Sequence, residues 1–135
     1  MFPVTAVFVG LFVCLQVPIT VMVGLRRLTA RIPFLDGGDR VLLRRIRAHG
    51  NFTETVPITL LAMAAAEATA APPWLLLAAG IVLLAGRLVH LRTLLVSEFG
   101  TGRAVGMVMT FLPMLVLGLW SIVTALPGVL ETLGA

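Results

Sequence analysis

The chain has 135 residues, of which 59% are hydrophobic and only 12% are charged, and its mean hydropathy is +1.09. This composition excludes a soluble globular domain and indicates an integral membrane protein. The formal charge of +4 would suit a nucleic-acid binder, but all ten basic residues are arginines beside apolar spans. Placement at the membrane surface explains these arginines better than nucleic-acid binding does.

The first apolar stretch, from Phe2 to about Leu25, is long enough to span a bilayer as a helix. Gln16 and Thr20 interrupt it, and we expect both to face a neighbouring helix instead of lipid. The stretch does not have the basic start and small-residue end of a secretory signal peptide. The single cysteine, Cys14, has no partner for an intrachain disulfide and is interpreted as a small packing residue.

A polar loop follows and ends in the turn-forming run Asp36-Gly37-Gly38-Asp39. Asp39 is a typical N-cap residue and predicts a long second helix over residues 40–71. At 100° per residue, five polar residues of this helix fall within an arc of roughly 80°. They are Arg40, Arg44, Arg47, Asn51 and Glu54. This stripe carries charge directly into the apolar half of the helix.

Glu54 lies about two turns inside the apolar part of the second helix, where a lipid-facing carboxylate would cost a few kcal/mol. We therefore expect Glu54 to have a buried partner, such as Arg47, and to support the stability of the fold. Glu67, on another face, is interpreted as an interfacial residue or a subunit contact. The stripe has two readings from the residues alone: a salt-bridge network that fixes helix packing, or a site for a ligand.

The run Ala71-Pro72-Pro73 makes a short uncharged break before Trp74, which is typical of a headgroup-level anchor. The pattern predicts a third helix over residues 74–95. Arg87 and His90 share one face of its last turns, because they stand three residues apart.

A second loop is predicted from Ser97 to Arg103, and a fourth helix over residues 104–126. Pro127-Gly128 is expected to close this helix. We find no zinc-ligand spacing and no nucleotide-binding motif. The fold class is therefore all-α, a four-helix transmembrane bundle within one domain, residues 1–135, with spans at about 2–25, 40–71, 74–95 and 104–126.

The arginines all lie in the first loop with its helical extension, or in the region from Arg87 to Arg103. The connection at Ala71 and both termini carry none. By the positive-inside rule, both basic loops are expected to be cytoplasmic, with the termini on the opposite side.

The run Arg47-Ala48-His49-Gly50-Asn51-Phe52-Thr53-Glu54 resembles the R-A-[HQ]-x-N-x-x-E signature of the MAPEG family, the membrane-associated proteins in eicosanoid and glutathione metabolism. The resemblance covers nearly the whole chain. It extends to an arginine pair at the end of the first helix, a late Gly-Arg-x-x-His in the third, and an arginine before the fourth.

This resemblance implies a homotrimer embedded in the bilayer, with glutathione bound between subunits near the cytoplasmic side. Residues matching the family's ligand positions are Arg26, Arg47, His49, Asn51, Glu54 and His90. Arg103 matches the arginine that stabilises the glutathione thiolate. Glutathione carries two carboxylates and one ammonium group, so arginines and one acid suit it chemically.

Family members with glutathione chemistry usually carry tyrosines where this chain has Thr55, Leu94 and Met107, and the sequence contains no tyrosine. Two main functions follow from the resemblance. The first is a glutathione-dependent transferase or peroxidase acting on small lipophilic electrophiles. The second, which the missing tyrosines favour, is a non-catalytic membrane protein that binds a thiol or lipid ligand. A small anion channel or transporter is a third reading.

Overall fold

The computed structural model describes residues 1–96 and 100–134, which form an all-α bundle of four helices. They are α1 (Pro3–Ala30), α2 (Arg40–Ala68), α3 (Pro73–Val96) and α4 (Thr101–Thr132). α2 lies at the centre and packs against each of the other three helices, while α3 packs most extensively on α4. The predicted all-α four-helix bundle is confirmed.

The connection between α1 and α2 is set by local backbone chemistry. α1 continues past the predicted end of its span to Ala30, and Arg31 stops it in a left-handed conformation with φ 56°. Asp39 caps α2 as predicted, because its Oδ1 accepts a hydrogen bond from Leu42 N at 2.7 Å. The cap satisfies one of the backbone donors that the start of every helix leaves unpaired.

The later helix ends differ in part from expectation. α2 ends at Ala68, before the predicted residue 71, because Ala70 adopts a left-handed conformation with φ 59° that a right-handed helix cannot continue through. α4 runs through Pro127 to Thr132, so the expectation that Pro127-Gly128 closes it is wrong. Membrane helices accept proline because side chains and small local adjustments satisfy the freed backbone groups.

The predicted second loop lies partly outside the described residues, which end at Val96 and resume at Gly100. α4 begins at Thr101, earlier than the predicted residue 104. Arg103 therefore stands in the first turn of α4 and not in a loop. A helical position fixes the direction of its side chain relative to α2 and α3.

The buried core is built from aromatic and aliphatic side chains of all four helices. Phe12 of α1 meets Phe52 of α2 edge-to-face, with ring centroids 6.0 Å apart. Phe8 lies directly over Gly80 of α3, where any added Cβ would collide with its ring. Glycine at this position lets α1 approach α3 closely.

The outer surfaces of the bundle are apolar. Large hydrophobic side chains are exposed along α1 and α4 in particular. By length and composition, α1, α3 and α4 can each cross a membrane. α2 does not meet that criterion because its first half carries the charged stripe. The protein is thus a multi-pass integral membrane protein with three apolar helices of membrane length.

Glu67, near the end of α2, caps the start of α1. Its carboxylate accepts hydrogen bonds from Val4 N at 3.0 Å and Thr5 N at 2.9 Å. A carboxylate suits this place because the first turn of a helix presents unpaired N–H groups and a partial positive charge. Glu67 therefore joins two helices within one chain, a role that the sequence did not indicate.

Candidate functional site

A groove of about 910 Å³ opens between α2, the end of α3, the start of α4 and the α1–α2 loop. Both polar and apolar residues line it. The polar residues are Asp36, Arg44, Arg47, Asn51, Glu54, His90 and Arg103, and the apolar ones are Leu35, Leu43, Ile46, Gly50 and Leu94. The groove thus offers both charged groups and apolar surface, a combination that suits an amphipathic ligand.

Five of the seven residues predicted for a site line this groove. Arg47, Asn51 and Glu54 reach it from successive turns of the stripe on α2, while His90 comes from α3 and Arg103 from α4. Residues far apart in the sequence are brought together because α2 packs against both α3 and α4.

Arg26 and His49 are not among the residues that line the groove. Arg26 is paired instead with Asp39, and its Nη2 lies 2.5 Å from the aspartate Oδ2. The hydrogen bond from Arg26, followed by that from the backbone of Leu42, lowers the pKa of the Asp39 carboxyl below its usual range. His49 lies on a half-buried face of α2.

A smaller pocket of about 390 Å³ adjoins the groove and is lined by Asn51, His90, Gly100, Arg103, Ala104 and Met107. Met107 occupies one of the three positions at which family members usually carry tyrosine. Its sulfur lies 3.4 Å from Asn51 Nδ2 and is a weak acceptor. Thr55, at a second such position, is buried and donates its hydroxyl to Asn51 O at 2.7 Å. Leu94, at the third, is a buried part of the groove wall.

The charge of the groove is predominantly positive. Glu54 is exposed and forms no ion pair with any residue of the described chain, so the expectation of a buried partner such as Arg47 is wrong for the single chain. Arg44 has a buried Nε with no hydrogen-bond partner among the residues described. The packing of the described chain thus leaves an exposed acid and one guanidinium N–H without protein partners at the groove.

The charge that is buried belongs to Arg87, only 3% exposed, which the sequence reading did not include in the site. Its Nη1 donates to Asn51 Oδ1 and, at 3.2 Å, to Thr55 Oγ1, and its Nη2 donates to Gly106 O at 3.2 Å. Arg87 therefore ties α3 to both α2 and α4 and fixes the amide of Asn51. The signal for this role was an arginine deep within an otherwise apolar helix, where a charge must find polar partners.

His90 is held against α4 by the absence of a side chain at Gly106. A Cβ at Gly106 would lie 2.7 Å from His90 Cβ and 2.8 Å from Gly86 O, so only glycine permits this approach of α3 and α4. His90 is buried except where it borders the groove. The close seam between α3 and α4 is thus what places an imidazole beside Asn51 and Arg103.

The fold and the groove define a membrane-embedded helical bundle with a basic, partly apolar groove at one end. The model of the MAPEG family matches residues 5–123, and the chain belongs to that family. The resemblance seen in the sequence is confirmed.

Among individual proteins, the chain is similar to the inner membrane protein YecN of Escherichia coli (strain K12). The two are 44% identical over 64 residues, which is 47% of this chain and 49% of the relative. The YecN protein of Escherichia coli O6:H1 matches with the same identity and extent. The chain thus spans about half the length of the curated relatives it matches.

Proposed function

We propose that this protein is a membrane-bound, glutathione-dependent transferase or peroxidase that acts on small lipophilic electrophiles. The observation that carries the proposal is the groove, in which Arg47, Asn51, Glu54 and Arg103 converge from two helices. Membership of the MAPEG family supports glutathione as the bound thiol. The apolar residues that line the groove suit a second substrate that partitions into the bilayer.

The residues of the groove match the functional groups of glutathione. Arg47, with the unsatisfied Nε of Arg44 beside it, offers donors for carboxylates, and guanidinium groups bind carboxylates through charge-assisted hydrogen bonds. The exposed carboxylate of Glu54 would accept hydrogen bonds from the ammonium group. Asn51, held by Arg87, would orient the peptide part, and His90 lies beside it in the inner pocket.

Arg103 is the residue proposed to stabilise the thiolate. A free thiol has a pKa near 8.5 and is mostly protonated at neutral pH, whereas a nearby guanidinium favours the charged, nucleophilic form. A guanidinium that lowered the thiol pKa by about one unit would stabilise the thiolate by about 1.4 kcal/mol. The thiolate sulfur would then form a bond to the electrophilic atom of the second substrate. The leaving group of that substrate would depart with the electron pair of the broken bond.

We further propose that the chain forms a homotrimer, with residues 1–135 as one domain and α2 as a fourth span enclosed by neighbouring subunits. In such an assembly Arg26 and His49 would contribute to a site on an adjacent subunit. The basic loops would be cytoplasmic by the positive-inside rule. The name of the relative YecN supports residence in an inner membrane.

The second candidate is a non-catalytic protein of the same fold that binds a thiol or lipid ligand without turnover. The observation that favours it is the absence of tyrosine from the whole sequence. Thr55, Leu94 and Met107 engage the protein's own groups or the groove wall and leave no phenol near the inner pocket. In a catalytic protein, by contrast, Arg103 would have to stabilise the thiolate without a phenol beside it.

Substitution of Arg103 separates the two candidates. Arg103→Leu is expected to abolish the ultraviolet absorbance of bound thiolate and to lower conjugation of glutathione to an electrophilic aryl halide at least ten-fold, the equivalent of about 1.4 kcal/mol. Arg92→Leu is the matched control, since Arg92 is exposed and lies outside the groove. If the unmutated protein binds glutathione but shows neither thiolate absorbance nor turnover, the enzyme proposal fails and the binding protein stands.

A further inference from the structure

The loop between α1 and α2 is held by hydrogen bonds and exposes two of its apolar side chains, Phe34 and Leu35. Arg27 of α1 stabilises the loop backbone, because its Nη1 donates hydrogen bonds to Pro33 O at 3.3 Å and Leu35 O at 2.8 Å. Asp36 adds a turn in which its Oδ1 accepts from Gly38 N at 3.2 Å. One arginine thus fixes the path of the backbone across the tip of the loop.

The apolar residues of this loop differ in their exposure to the surroundings. Ile32 is folded inward, and a Cβ at Gly37 would lie only 3.0 Å from its Cδ1. Phe34 is 81% exposed and Leu35 is 83% exposed. The loop thus partly buries Ile32 but exposes the ring of Phe34 and the side chain of Leu35, which also borders the groove, so the loop has an outer apolar surface.

The position of this apolar surface in the chain indicates that the membrane interface covers it. It follows directly on the end of α1, which is long and apolar enough to cross a membrane, so it stands at the boundary of the bilayer. Arg31 is exposed three residues before Phe34, and seven of the ten arginines of the sequence lie within residues 26–47. Apolar side chains flanked by arginines match an interface of acyl chains and anionic headgroups.

We propose that the tip of the α1–α2 loop is an anchor that inserts Phe34 into the membrane interface and binds anionic phospholipid headgroups through Arg31. Phe34 would lie at the boundary between headgroups and acyl chains, as aromatic residues do in interfacial segments. Arg31, exposed at the end of α1, would lie at the level of the phosphates. The proposal does not depend on glutathione binding, because Phe34 and Arg31 do not line the groove.

The test places one indole at the tip of the loop. Phe34→Trp is combined with Trp74→Phe and Trp120→Phe, which replace the only two tryptophans of the chain. The full-length protein is reconstituted in phosphatidylcholine vesicles that contain brominated phosphatidylglycerol or brominated phosphatidylcholine. The control protein carries only Trp120→Phe and retains Trp74, which is exposed at the opposite end of the bundle, away from the arginines.

We expect fluorescence at position 34 to be quenched by both lipids, with phosphatidylglycerol acting as though enriched about five-fold. This corresponds to about 1 kcal/mol for one arginine near an anionic surface. Arg31→Gln should remove most of that enrichment, and the Trp74 control should show none. No quenching at position 34 would mean that water or a second copy of the chain covers the loop, and would overturn the proposal. Equal quenching by the two lipids would overturn the binding of anionic headgroups.

Discussion

Glu54 and Glu67 lie on the same helix, yet the structure treats them in opposite ways. Glu67 accepts hydrogen bonds from two backbone N–H groups at the start of α1 and fastens one helix to another. Glu54 is exposed at the groove and has no ion-pair partner in the described ranges. The carboxylate of Glu67 is therefore satisfied by backbone groups of the same chain, whereas that of Glu54 has no ion-pair partner among the described residues.

The two carboxylates therefore differ in what they can contribute. A carboxylate that accepts hydrogen bonds from the protein contributes to folding, while an exposed, hydrated one contributes little to folding and can exchange its water for the groups of a ligand. Arg87 lies between the two regions, because it is buried like the core but holds Asn51 at the edge of the groove. The comparison therefore predicts which substitutions affect stability and which affect binding.

The largest expected effect on stability belongs to Glu67. Glu67→Leu should lower the free energy of unfolding by about 2 kcal/mol, because two charge-assisted hydrogen bonds are lost at a partly solvated site. Glu54→Leu should change it by less than about 0.5 kcal/mol. Thermal unfolding of the two variants in the same detergent measures both. Equal midpoints would contradict the comparison, and a larger loss for Glu54 would restore the sequence-based expectation.

An intermediate effect is expected at Arg87. Arg87→Met leaves Asn51 Oδ1 without its donor, which costs about 1–2 kcal/mol after allowance for the release of a buried cation. Arg92→Met, five residues further along α3 and exposed, should leave the thermal midpoint unchanged. A stabilised Arg87→Met protein would show that this arginine is kept for binding and not for packing.

The smallest effect concerns Asp39, which belongs to the structural class although it lies near the groove. Its pKa is lowered in the folded protein, so its contribution to stability is present above the unfolded pKa of about 3.9. That contribution is lost as the pH falls through the lower folded pKa. Asp39→Asn should therefore unfold more readily than the natural protein at pH 6, and the gap should close toward pH 3. A gap that is independent of pH would refute this account.

The sequence was sufficient for features that rest on local patterns. Three of the helices follow from apolar length, the start of α2 from the Asp39 cap, and the polar residues of the groove from helical periodicity. Arg47, Asn51 and Glu54 share a groove because residues at this spacing lie on one face of a helix. These inferences need no knowledge of how the helices pack.

Other features depend on contacts between helices that no local pattern encodes. The carboxylate of Glu67 meets the start of α1 only because α1 and α2 are antiparallel neighbours. Arg26 was predicted to belong to the site, but it forms a salt bridge with Asp39 at the end of the α1–α2 loop. The stop signal at Pro127 failed because a membrane helix carries proline without ending.

The proposal that Arg47, Asn51, Glu54 and Arg103 bind glutathione in the groove is tested most directly by isothermal titration of the detergent-purified protein. We predict saturable heat on addition of glutathione, and an affinity at least about ten-fold lower for Glu54→Gln, since a charge-assisted hydrogen bond contributes about 1.5–3 kcal/mol. Glu67→Gln should bind as tightly as the natural protein. Absence of saturable heat, or equal weakening by both substitutions, would contradict the assignment of the groove as the glutathione site.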